Sequence, residues 1–179
     1  MEYRFRTVQS KALMIVFDRT RHCFKEDHDQ CEVYRIAVQN TGTTTVKNVA
    51  AKIAAITSEQ EDQDDNLKSL VGLKLSRSVN PFGTYRHPDN PPESSVILHS
   101  GEEATFDFVR VCTVPGNYSL LHANFFMNPQ TSHLEKRPRG VLSPGDYTVT
   151  ISAQGDDLAP EEQEFHLTSS STAVTFVPL

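Results

Sequence analysis

Apolar and polar residues alternate with a period of two along most of this chain, and no window carries the long 3.6-residue stripe of a helix. Lys11 to Phe17, rich in large apolar residues, reads as an opening strand. Cys31 to Asn40 is clearer, with Tyr34, Ile36 and Val38 on one face and Arg35, Ala37 and Gln39 on the other. Asn40-Thr41-Gly42 is a turn signal, after which Val49, Ala51, Ile53 and Ala55 resume the alternation. The two runs predict a β-hairpin with one buried side. Further strands are predicted at Leu70–Leu75, Glu102–Thr113, Tyr118–Phe126, Asp146–Gln154, Gln163–Leu167 and Ala173–Val177. Ala104, Phe106 and Phe108 face inward on one of them, and Tyr147, Val149, Ile151 and Ala153 on another.

Breakers separate these runs. Pro115-Gly116 and Pro144-Gly145 are turn pairs, and nothing repeats at the fixed period of a solenoid or propeller. Ser58 to Asn66 carries five carboxylates and no apolar side chain, as a solvated loop does. Pro81, Pro88, Pro91 and Pro92 exclude helix and central strand from the following stretch. A second loop, Met127 to Gly140, holds the basic group Lys136, Arg137 and Arg139. About eight or nine short strands punctuated in this way predict a single all-β sandwich domain, its core spanning about residues 11–177 and a long connection running from 57 to 96.

At 179 residues the chain is long enough to bury a core without disulfides or metal. Hydrophobic residues at 37% and charged residues at 22% are a globular balance. The net charge of -6 argues against nucleic acid, because phosphate contacts need a basic face. No stretch approaches the ~20 apolar residues that span a bilayer, and Glu2 to Arg6 lack signal-peptide character. Cys23, Cys31 and Cys112 are an odd set without a Cys-x-x-Cys pair, which favours a reducing compartment such as the cytoplasm.

Three segments carry a family likeness: YRIAVQNTGTTTVKNVAAKI (Tyr34 to Ile53), LHSGEEATFDFV (Leu98 to Val109) and LSPGDYTVTISA (Leu142 to Ala153). In order and spacing the chain resembles bacterial immunoglobulin-like domains of the adhesion-related and fibronectin-like kind, over about Val33 to Leu167. The resemblance implies an immunoglobulin-like antiparallel β-sandwich and a module appended to a larger bacterial protein; the chain departs from the compact domain in two elaborated loops, Thr57 to Val96 and Met127 to Gly140. Its motifs encode turn chemistry and core alternation, not a reactive site.

His22, Cys23, His28 and Cys31 place two thiols and two imidazoles within ten residues, the donor types zinc takes, but at a spacing that fits no standard pattern. A Cys23–Cys31 disulfide and a plain surface loop are the other readings, and the plain loop is the expectation; no metal and no cofactor is expected. Asp62, Asp64 and Asn66 do not make a calcium loop, because Leu67 and Leu73 stand where glycine and glutamate are required. Cys112 shares the parity of Phe106 and Phe108, so a core thiol is expected. There is no Gly-x-Ser-x-Gly, no P-loop and no Gly-x-Gly-x-x-Gly. A hydrolase would have to use Glu93, Glu102, Glu103 or Asp107, and catalysis is not expected.

The expected binding residues are Phe82, Tyr85, Arg86 and His87, because aromatic and Arg side chains anchor interfaces and this connection is longer than packing requires. The expected function is therefore a non-catalytic module that binds another protein or another domain of its own chain. The alternative is a ligand-binding or sensory domain whose loops take a small molecule, sugar or metal.

Overall fold

A computed structural model describes residues 12–26, 31–58, 68, 70–77, 95–114, 117–120, 145–170 and 174–179. Along them run β1 (Leu13–Val16), α1 (Arg19–His22), β2 (Cys23–Glu26), β3 (Cys31–Asn40), β4 (Val46–Ser58), β5 (Ser76–Arg77), β6 (Val96–Leu98), β7 (Glu103–Val114), β8 (Asn117–Leu120), β9 (Gly145–Gln154), β10 (Glu161–Ser169) and β11 (Val174–Pro178). The strands form two antiparallel sheets. One has the order β1-β3-β7-β5, with β2 also on β3 and β8 also on β7; the other runs β11-β10-β9-β4-β6. The all-β sandwich expected from the alternation is what forms.

Alternation becomes burial where the two sheets face each other. Tyr34, Ile36, Val38, Ala104, Phe106 and Phe108 of the first sheet meet Ile53, Tyr147, Val149, Ile151, Phe165 and Phe176 of the second in one apolar cluster. Phe176 sits where the two meet: its ring stacks on Phe165 at 4.5 Å and lies 4.9 Å from both Phe17 and Phe108. Aromatic rings from both sheets thus interlock in the offset and edge-on geometries their quadrupoles favour.

Two departures from the expected pattern have clear physical causes. The first is the predicted hairpin. β3 and β4 do not pair; β3 lies between β1 and β7, while β4 lies between β9 and β6. The 41–45 link carries the chain from one sheet to the other and is held by Asn40, whose amide donates to the Thr44 and Leu98 carbonyls at 2.7 and 3.0 Å and accepts from Gly42 N–H at 3.0 Å. Period-two patterning gives each strand's inward face but not its neighbour, so it reads the same whether two strands lie side by side or face to face.

The second is a bulge in β7. Ile36 stands opposite Phe106 and Arg35 opposite Asp107, but Tyr34 stands opposite Val109. Phe108 is the extra residue, and Phe108 and Val109 are both buried in succession. The parity of Phe106 and Phe108 therefore does not extend past Val109, and the Cys112 side chain, expected in the core, lies outside those described.

The 57–96 connection is partly built into the sandwich. β4 continues to Ser58, and Leu70 and Leu75 are buried. Ile53 N–H donates to Leu73 O and Leu75 N–H to Ala51 O, extending the edge of β4. Lys74 bridges to Lys52 of the second sheet, and the next residues, β5, pair with Asp107 and Phe106 of the first. This short stretch, predicted as a strand of its own, crosses from one sheet to the other at the side of the sandwich.

Candidate interaction surface

Phe82, Tyr85, Arg86 and His87 lie outside the described residues, as do Lys136, Arg137, Arg139 and the acidic stretch 59–66.

Of the thiols and imidazoles near the start of the chain, the side chains of His22 and Cys23 are described, while His28 and the Cys31 side chain lie outside those described. β1 pairs with the 37–40 half of β3 and β2 with the 31–34 half; α1 spans the break. Asp18 caps α1 by accepting from Thr20 N–H and Thr20 Oγ1, bonds that hold its carboxyl below the ordinary range. His22 closes the turn, buried, with Nδ1 accepting the Asp18 N–H at 2.9 Å. That bond assigns the ring proton to Nε2, a buried atom with no hydrogen-bond partner among the described residues. Burial, then the Arg21 charge, lowers the His22 pKa. Cys23 is opposite Tyr34, whereas Cys31 is opposite Glu26. Three residues of strand, about 10 Å, separate those rungs, beyond the ~7 Å limit for a disulfide. The Cys23–Cys31 bond is thus excluded by register. The Cys23 thiol is raised to about 11 by burial and by Glu32. No three described His, Cys, Asp or Glu side chains could together hold a metal ion.

Three of the four carboxylates considered for hydrolysis have structural partners. Glu102 accepts from His99 N–H at 2.8 Å across the turn at Gly101, whose φ of +79° suits glycine. Glu103 pairs with Arg21. Asp107 takes Arg35 Nε at 2.7 Å, both side chains nearly buried, where a charge needs its counter-ion. Glu93 is outside the described residues.

The outer face of the second sheet carries polar residues in register across four strands. Register places Thr57, Thr148, His166 and Val177 in one row across β4, β9, β10 and β11. Asp146, Thr168 and Thr175 form the next row, and Ala55, Thr150 and Glu164 the one on the other side. Thr168 Oγ1 donates to Asp146 Oδ1 at 2.8 Å, and His166 Nε2 lies 3.7 Å from the same oxygen. Thr57, Ser58, Asp146, Thr148 and His166 ring an open depression of about 150 Å³ floored by Tyr147. A second, of about 220 Å³, lies at Asn48, Lys52, Lys74 and Asp156. β-Branched residues suit a strand face and hydroxyls suit water, so the threonines meet both demands at once. That double role hides them from sequence reasoning: a Thr pointing outward on a strand carries no signal of function, and the row exists only through cross-strand register.

No protein-family model matches the chain, and no curated protein matches it. No helix among the described residues is long and apolar enough to cross a membrane.

Proposed function

We propose that this protein is a non-catalytic interaction module that recognises another protein or another domain of a longer chain. The observation that carries this reading is the outer face of β4-β9-β10-β11, a strand-rigid surface of Thr57, Thr148, Thr150, His166, Thr168, Thr175 and Val177. Residues fixed on strands lose little conformational freedom on binding, which favours recognition by a flat surface. The two depressions, about 220 and 150 Å³, are below the ~300–1,000 Å³ of small-molecule sites. Among the described residues this favours a surface for a protein over a small-molecule pocket; the loops of the ligand-binding reading, 81–92 and 127–140, lie outside them. The likeness of three segments to bacterial immunoglobulin-like domains supports a module appended to a larger protein.

The test compares the intact protein with Thr57→Arg/Val177→Arg, both positions exposed, in capture from extract of the native host. Surface changes of this kind shift stability by only about 0.5 kcal/mol or less. Loss of a captured partner at unchanged melting temperature supports the face as the recognition surface. Unchanged capture by the double variant, with loss on deleting 81–92, moves recognition to the proline-rich stretch. Stabilisation by a small molecule, with no captured protein, would replace this reading by the sensory one.

A further inference from the structure

The register of β3 and β7 brings together two cysteines that are far apart in the sequence. Beyond the bulge, Tyr34, Val33, Glu32 and Cys31 stand opposite Val109, Arg110, Val111 and Cys112 in unbroken succession. Directly opposed residues of an antiparallel pair have Cα atoms about 4.5 or 5.5 Å apart, according to hydrogen-bonding phase, and share a face of the sheet. Both separations fall within the roughly 4.4–6.8 Å that a disulfide spans. Without the extra residue Phe108, Cys31 would meet Val111 and no thiol pair would exist.

We propose that Cys31 and Cys112 are a redox-active pair that closes into a cross-strand disulfide, clamping β3 to β7 at the end of the sheet where β2 and β8 also attach. The oxidant is a small disulfide of the glutathione class. One protein thiolate attacks it, forming a mixed disulfide and releasing one small thiol. The second protein thiol gives up its proton and attacks the protein sulfur of that mixed disulfide, releasing the second small thiol. Two protein thiols are oxidised, one small disulfide is reduced to two thiols, and the protons leave with them. Cys23 takes no part, being opposite Tyr34 and half-buried with a raised pKa.

The bond closes the chain from residue 31 to residue 112, a long loop, so its main effect is to restrict the unfolded chain. The full chain is equilibrated in glutathione buffers of graded potential, quenched by alkylation in denaturant, and read by intact mass and peptide mapping. The expected result is one alkylated cysteine on the oxidised form, a peptide link between 31 and 112, and a melting temperature raised by about 5–15 °C. Cys23→Ser should keep the link and the shift; Cys112→Ser should lose both. Three alkylated cysteines at every potential, or any link that includes Cys23, overturns the proposal.

Discussion

His22 shows how one side chain can tie stability to pH. Its ring is buried between Phe17 and the charges of Arg21, Glu103, Asp18 and Arg35, with Nδ1 committed to a backbone N–H. The folded pKa is below the unfolded value near 6.5, so the unfolded chain binds the proton more readily. Stability is therefore unaffected well above pH 6.5 and falls as pH drops below it. His22→Gln should reduce the slope of melting temperature against pH between 6.5 and 5; equal slopes in the two proteins would remove His22 as its source. Arg35 and Asp107 are a different case, an ion pair almost out of solvent. Asp107→Ala leaves a buried guanidinium without that counter-ion and should cost about 3–5 kcal/mol in urea denaturation. The double variant Arg35→Met/Asp107→Leu should recover a substantial part of that loss, because no charge is then left buried.

At the scale of elements, the connections between sheets carry the specific chemistry. Asn40 binds three segments at one end of the sandwich: its side chain reaches the 41–45 link and Leu98, and its backbone exchanges bonds with Gly101 and Glu102. Asn40→Asp replaces two donors by a carboxylate aimed at two carbonyls and should cost on the order of 3 kcal/mol; a loss under ~1 kcal/mol would mean the loop relaxes around it. Gly155, just after β9, is buried because β4 passes close by. A Cβ there would run into Val46 Cγ1 and press within 3.3 Å of Lys47 O. Gly155→Ala is thus expected to cost about 1–3 kcal/mol, read as a lower denaturation midpoint at unchanged slope.

For the molecule as a whole, the Phe176 cluster joins the two sheets. Phe17, Tyr34 and Phe108 approach it from one side, and Phe165 stacks on it within its own sheet. β11 is an edge strand whose inward anchor among the described side chains is Phe176, flanked by exposed Thr175 and Val177. Phe176→Ala should therefore destabilise the entire sandwich by about 3–5 kcal/mol in one cooperative transition. A separate early transition in circular dichroism, with the remainder unaffected, would show that β11 docks as an independent unit. Edge strands invite pairing with other chains, and Pro178 interrupts the hydrogen-bonding edge of β11 by lacking an N–H.

The sequence by itself determined the class of fold and most of the inward residues; Ala55, expected on the face of Ile53, is exposed because β4 shifts register after Ile53 and buries Ile56 instead. Val149, Ile151, Phe106 and Ile36 could be assigned to the core because a strand presents alternate residues to opposite faces. It also showed where strands had to stop, through Asn40-Thr41-Gly42 and Pro144-Gly145. Only the tertiary structure decided which strands are neighbours. It separated β3 from β4, placed Phe108 in a bulge, brought Cys31 opposite Cys112 and aligned Thr57, Thr148 and His166 in one row. The reason is physical: alternation is a property of one strand and is local, whereas pairing and register depend on contacts between residues far apart in the chain, and both candidate surface and thiol pair are made of such contacts.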